Sequence, residues 1–455
     1  MVLCHLARSQ GAELREGAIL SEEPGWRSAI RLQGKSALLA GMAQAAQRGR
    51  QSLHPPLTQT PTMTHHPAPE RAPLKARLAT QCHFFICGMV FATWGVHVPT
   101  VKAQYGLSDA ALSWLMLAAG VGALIGLSQV GKWVARHGAR KVVLATGLMM
   151  CAPLAVLLLM PGYAGLLLML FCYGLFNGSF DVAMNAEAVA VEHAYKRPIM
   201  SSFHGFFSLG GMAGALVASV IAALDVAPIY HLAGASIIGF ALIALASAWM
   251  MPVEATHSPE EAARDGFRLP HGTILLIGVM AAMGFVGEGA MYDWSTLYMH
   301  DVLHSPQHQA ALAYGAFSGA MAAGRFGGDW VRAKLGSQAT VWWSSWLSAL
   351  AMTASLAAGH PWVALIGFSL VGIGFSNIVP VLFSAAARVP GTAPATGIAG
   401  VSSVGYVGFM MGPPVIGAIA SGSSLAFALL LVAVFAVGVA LLSRRAMREL
   451  AEPGS

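Results

Sequence analysis

Gly126-Leu127-Ser128-Gln129-Val130-Gly131-Lys132-Trp133-Val134-Ala135-Arg136-His137-Gly138 carries an apolar run into a short basic turn, after which the chain becomes apolar again. The same order returns in the second half as Gly324-Arg325-Phe326-Gly327-Gly328-Asp329-Trp330-Val331-Arg332-Ala333-Lys334-Leu335-Gly336. Gly126 pairs with Gly324, Arg136 with Lys334, and Gly138 with Gly336. A unit repeated once along an apolar chain points to two related helical halves.

Working outward from this pair, apolar segments fill both halves. A hydrocarbon core about 30 Å thick needs roughly 20 apolar residues per helix. Six spans are expected at 78–98, 111–131, 141–160, 164–186, 201–223 and 229–251, and six more at 272–295, 310–331, 339–358, 362–386, 395–420 and 424–443. Composition agrees: 56% of residues are hydrophobic and 10% charged, whereas a soluble domain carries about 25% charged residues. Mean hydropathy is +0.63. The five cysteines show neither a disulfide framework nor zinc spacing.

The net charge of +6 raises the question of nucleic acid. The placement of the charges answers it. Of the 19 basic residues beyond residue 70, 17 fall in loops or ends on one face of the twelve-span layout. Lys102 lies on the other face and Arg325 within span eight. Such asymmetry is the positive-inside pattern, so the basic face and both termini are expected in the cytoplasm. The bilayer, not nucleic acid, is the expected partner.

The layout divides the chain into an N-terminal extension at 1–74, a six-helix bundle at 75–251 and a cytoplasmic linker at 252–271. A second bundle at 272–445 and a tail at 446–455 follow. The extension is polar, with Pro55, Pro56 and Pro61, and reads as disordered or as a mis-assigned start ahead of Met63.

The turn after span two, Gly131 to Lys141, resembles the Gly-x-x-x-Asp-Arg-x-Gly-x-Arg-Lys signature of the major facilitator superfamily. Gly131, Arg136, Gly138, Arg140 and Lys141 keep its register. Ala135 replaces the usual Asp, which in that family helps to latch helices across the cytoplasmic side. The resemblance covers about residues 75–445. It implies an all-α membrane protein of twelve transmembrane helices, arranged as two six-helix pseudo-symmetric bundles (the major facilitator fold). It also implies a gating role for Gly131, Arg136, Gly138 and Arg140.

A narrower likeness rests on Asn177-Gly178-Ser179-Phe180-Asp181-Val182-Ala183-Met184-Asn185, Ser201-Ser202-Phe203-His204-Gly205, Glu288, Asp293-Trp294 and Asn377-Ile378-Val379-Pro380. These resemble a bacterial inner-membrane group near the fucose–proton symporters. In those symporters a helix-four acid four residues before an Asn takes part in proton coupling, which implies that role for Asp181 with Asn185. Span one offers Trp94, Gly95 and His97 where the symporters carry an acid, so sugar specificity does not carry over.

Ionisable groups inside apolar spans are costly and mark functional sites or interhelical bonds. Asn177, Asp181 and Asn185 recur every four residues and share one helix face. Asp181 is a candidate proton site or an interhelical structural acid. Glu288, between Gly287 and Gly289, is the second proton-coupling candidate, with Tyr292 one turn on. Asn177, Asn185, Tyr292, Asn377 and Trp94 are candidate substrate-binding residues, and Trp294 a further ring on which a solute could stack. Asp293 is either a gate or a solvated helix-end acid, and His204 a proton relay or a structural histidine. Arg325 is expected to snorkel to the basic face or to pair with Asp329. Pro380 frees a carbonyl and permits a bend in span ten.

No metal or cofactor is implied, and no nucleophile elbow, zinc-protease motif or phosphate loop is present. An enzyme is therefore disfavoured. The expected function is secondary transport of a small polar organic solute, coupled to protons, by a monomer. The alternative is a proton-driven multidrug or metabolite exporter on the same fold.

Overall fold

The computed structural model describes residues 71–196, 199–251, 270–392 and 394–451. The expected extension up to residue 70, most of the 252–271 linker and the last four residues of the tail lie outside the described residues. The first half contains α1 (Arg71–Val96), its short continuation α2 (Val98–Gln104), α3 (Asp109–His137), α4 (Ala139–Val156), α5 (Tyr163–Tyr195), α6 (Met200–Ala223) and α7 (Pro228–Ser247). The second contains α8 (Gly272–Leu297), α9 (Gln307–Leu335), α10 (Ser337–Ala358), α11 (Pro361–Phe375), α12 (Ile378–Ala386), α13 (Pro394–Gly422) and α14 (Leu425–Ala451). Counting α1–α2 and α11–α12 as one crossing each gives twelve.

Ten of these crossings are long and apolar enough to span a bilayer alone. The other two are α9, with Arg325, Asp329, Arg332 and Lys334, and α10, rich in Ser and Trp. Packing sets their place: α9 lies on α6 and α11, α10 on α11 and α14.

Local chemistry sets the helix ends. The Ser108 side chain accepts from the Ala111 amide at 3.2 Å and caps α3. Glu192 Oε2 accepts from the Ile199 and Met200 amides at 2.7 Å each, meeting orphan donors where α6 begins. Gly138 ends α3 and opens α4 at φ 83°, ψ 147°, and Gly336 joins α9 to α10 at φ 78°, ψ 163°. The sequence repeat is therefore a conformational repeat as well. Span ten is interrupted at Ser376–Asn377, between α11 and α12. Pro380 supplies no amide for the Ser376 carbonyl four residues earlier.

Lipid gives helices little hydrophobic reason to associate, so close van der Waals packing has to. Where α3 meets α5, Gly122 and Gly126 lie on the Phe171 and Leu175 carbonyls, and Gly174 and Gly178 on the Ala119 and Ala123 backbone. A β-carbon at Gly174 would collide with the Ala119 carbonyl. The second half repeats this where α9 meets α11, with Gly372 against the Phe317 carbonyl.

The halves meet along two seams, α6 against α9 and α3 against α13. On the face opposite the basic loops, Lys102 Nζ bridges Asp109 Oδ1 of its own half at 2.7 Å and Asp301 Oδ2 of the other at 2.6 Å. Gln307 Nε2 donates to the Val96 carbonyl and Ser219 Oγ to the His308 carbonyl, each at 2.7 Å. That face is closed. Toward the basic face α5 and α12 find their substantial packing within their own halves, and the end of α3 from Gly131 to Gly138 is largely exposed. This packing points to a cleft between the halves on the basic face, bordered by the α6–α9 seam, which stays packed there through Ser201 and Arg325.

Candidate functional site

The α5 stripe extends one turn beyond the expected residues: Tyr173, Asn177, Asp181 and Asn185 follow at four-residue steps, over about 18 Å of helix. Asn177, Asp181 and Asn185 are half-buried, while Tyr173 is buried. Asn185 Nδ2 donates to the Asp181 carbonyl at 2.8 Å and to its Oδ1 at 3.2 Å. Among the described residues no basic side chain lies within ion-pair distance of Asp181. Tyr406 of α13 lies within charge-interaction range of it. Cys87 Sγ of α1 approaches Asn177 Oδ1 at 3.7 Å.

Glu288 is buried and accepts from Arg325 Nη2 at 2.9 Å. Arg325 Nη1 reaches into the first half, donating to Ser208 Oγ at 2.7 Å and to the His204 carbonyl at 3.3 Å. Ser201 Oγ donates to the Arg325 carbonyl at 3.0 Å. The expectation that Arg325 snorkels or pairs with Asp329 is thus corrected. Asp329 is exposed, where water screens its charge, and the buried Glu288 attracts the guanidinium more strongly. His204 rests its ring edge-on against Phe84, 5.1 Å between centroids.

Tyr292 sits in an aromatic cluster at the closed end of the cleft. Its ring centroid lies 5.0 Å from those of Tyr314 and Phe317 and 5.7 Å from that of Phe91. Trp94 is almost fully buried in the packed core and Trp294 wholly so. Asp293 is 7% exposed, so the solvated helix-end reading fails: α8 continues past it, and a π-helical turn at Tyr298–Val302 carries the chain outward. Asn377 lies at the span-ten break, where its Nδ2 donates to Ser376 Oγ at 2.9 Å and to the Gly324 carbonyl at 3.4 Å. It thereby ties that break to α9. Arg136, Gly138 and Arg140 are exposed on the open basic face together with Gly131.

Several polar groups escaped the sequence reading. His83 Nδ1 meets Glu187 Oε2 at 3.2 Å, with both side chains fully buried, and Ser247 Oγ lies 3.3 Å from His83 Nε2. His97 Nε2 lies 2.9 Å from His231 Nδ1. Glu187 lies one residue past the expected end of span four, so apolarity gave no cue to it, whereas Tyr173 was discoverable as the next step of the stripe. The two histidine pairings join distant segments and leave no local signal. At Lys102, outside the spans, burial disfavours the charged ammonium, but the bonds and charges of Asp109 and Asp301 outweigh it and raise the pKa.

Two pseudo-symmetric six-helix bundles around a cleft that is closed on one face define an alternating-access membrane transporter. The family model described as Major Facilitator Superfamily matches residues 82–396, and the chain belongs to that superfamily. An uncharacterised MFS-type transporter of Yersinia pestis is 34% identical over 377 residues, 82% of this chain and 97% of the relative. Membrane protein MosC of Rhizobium meliloti is 33% identical over 363 residues, 79% of this chain and 87% of MosC. Among solved structures, a bacterial homologue of the human lysosomal transporter Spinster, inward-facing and unoccupied, superposes with a TM-score of 0.64 at 14% identity, over 85% of this chain and all of the other.

Proposed function

We propose that this transporter moves a small polar organic solute in symport with protons, as a monomer in the bacterial inner membrane with both termini in the cytoplasm. On this reading the basic face is cytoplasmic and the conformation described is inward-open. The observation that carries proton coupling is the environment of Asp181. It lies half-buried in an apolar span and has the Asn185 amide for a partner, with no cation among the described residues in ion-pair range. A lone carboxylate there is costly when charged, so it takes up a proton when the cleft is shut and releases it when water reaches it. The likeness of Asp181 and Asn185 to the fucose–proton symporter pair supports the same role.

Glu288 supplies a second route. Its counter-charge, Arg325, also holds Ser208 and the His204 carbonyl across the α6–α9 seam. A change of charge at Glu288 therefore acts directly on the contact that must shift when the halves rock. Coupling follows because proton and solute then bind the two states with different affinities. The test is reconstitution in proteoliposomes with a bacterial metabolite extract outside, followed by mass spectrometry of the lumen. An inward-directed pH gradient is expected to concentrate at least one solute. Asp181→Asn is expected to abolish that concentration while retaining exchange. Unchanged gradient dependence in the variant overturns the assignment.

A further inference from the structure

We infer that His97 and His231 are positioning residues for the outer gate: the hydrogen bond between their rings holds the hinge that keeps the face opposite the basic loops shut, and a second proton on the pair releases it. The inference takes its sidedness from the transport reading but concerns the gate, not the solute.

His97 is the one residue between α1 and α2, with φ −96° and ψ 4°. Its amide bonds the Trp94 carbonyl three residues back, at 3.0 Å. Pro99 offers no amide to the Gly95 carbonyl. The helix is therefore broken at His97, and contacts with the other half lie on both sides of the break. Before it, Gly95 lies on the Tyr292 carbonyl and the Tyr314 ring, where a β-carbon would collide with both. The Val96 carbonyl accepts from Gln307 Nε2. After it, Lys102 bridges to Asp301. At the break itself, His97 Nε2 lies 2.9 Å from His231 Nδ1 of α7, and each residue is 4% exposed. Gln104 and Tyr105 hold the far end of α2 through the Leu157, Leu158 and Met160 carbonyls. The histidine pair thus ties to its own half the point from which the gate contacts extend.

The proton count makes the tie a switch. A nitrogen–nitrogen hydrogen bond needs one hydrogen between the two rings. With neither ring charged, one donates and the other accepts. One added proton leaves the bond intact, because it goes to an outward nitrogen; Thr100 Oγ lies 3.4 Å from His97 Nδ1 to receive that hydrogen. A second proton puts hydrogens on both facing nitrogens, and two positive rings in contact repel. Among the described residues neither ring has a carboxylate within ion-pair distance to offset this. Toward this face the packed elements bring Cys151 of α4, Tyr173 of α5, Asp225 after α6, Asp293 of α8 and Tyr314 of α9, and none of them bonds either ring. On the pair's own elements, Lys102 is taken by Asp109 and Asp301, and Tyr230 is exposed. A shut face therefore holds one proton fewer than a face opened to water. Acid outside favours opening, by up to about tenfold in the open-to-shut ratio per pH unit.

The test uses the full chain in bacterial spheroplasts and a membrane-impermeant maleimide added outside. Phe91→Cys, in the aromatic cluster beneath the closed face, reports opening. Leu224→Cys, exposed at the end of α6 on that face, calibrates the reagent at each pH, and the chain without an introduced cysteine supplies the blank. Relative labelling of Phe91→Cys is expected to rise several-fold from about pH 8 to about pH 5. His97→Gln sets an amide where Nε2 stood, so it keeps a bond to His231 and never charges. It is expected to hold labelling low across the range. His231→Leu removes the bond and is expected to give high labelling already at the alkaline end. A packing role alone would move both variants in the same direction and leave the pH response in place. A rise in His97→Gln equal to that of the parent, or labelling in His231→Leu that stays low at the alkaline end, overturns the inference. So does a Leu224→Cys that the outside reagent cannot reach, which would put this face in the cytoplasm. His97→Gln decides alone if His231→Leu does not fold.

Discussion

Arg325 concentrates more consequence than any other single side chain described here, because its guanidinium meets a buried acid in one half and two groups of α6 in the other. Removing one member of a buried pair leaves an uncompensated charge, at a cost of about 3–5 kcal/mol. Arg325→Met and Glu288→Gln are each expected to lower the unfolding temperature in detergent markedly. The double variant is expected to recover much of the loss, since it leaves no lone charge. Two single-variant losses that simply add in the double would show that the pair is not coupled. At this scale the sequence was partly legible. Asp181 and Glu288 stand out because charge is rare in apolar spans. The partner of Arg325 did not, since the nearest acid in sequence is Asp329 and the true one lies 37 residues earlier. Spacing along one helix reports which residues share a face; it carries no information about which neighbour that face will meet.

Among elements, the hinge-like glycines after α3 and α9 make the clearest prediction. Gly138 and Gly336 hold φ near +80° with extended ψ, a region closed to side-chain-bearing residues. Gly138→Ala and Gly336→Ala are each expected to cost about 1–3 kcal/mol, and similar amounts because the two turns are conformational copies. Circular dichroism melts of both variants check this; a change tolerated at one site and not at the other would break the equivalence. The helices themselves were read well from apolarity. Expected spans at 201–223 and 339–358 differ by two residues or fewer from α6 and α10. The largest error was span four, expected to end at 186, where α5 runs to Tyr195. Polar residues such as Glu187, Glu192 and His193 end the hydrocarbon signal but not the helix. Likewise α9 carries enough charge to fail an apolarity criterion, and its place in the fold is secured by packing on α6 and α11.

For the whole molecule, the balance between cleft openings rests on contacts between the halves. The Lys102–Asp301 bridge can form only while the face opposite the basic loops is shut. Its side chains are partly exposed, at 21% and 31%, so its contribution is about 1 kcal/mol at most. Lys102→Ala is therefore expected to raise maleimide labelling of a cysteine placed beneath the closed face by up to about fivefold. The paired change Lys102→Cys with Asp301→Cys, once cross-linked, is expected to arrest accumulation until it is reduced. Labelling that does not respond to Lys102→Ala would assign closure to the aromatic cluster around Tyr292 instead. The two six-helix units have one covalent connection, the segment between Met251 and Pro270, and each enters and leaves on the same face. Expressed together as two separate polypeptides, split within that segment, they should find one another in the bilayer and regain activity, guided by polar cross-contacts such as Arg325 to Ser208 rather than by tethering.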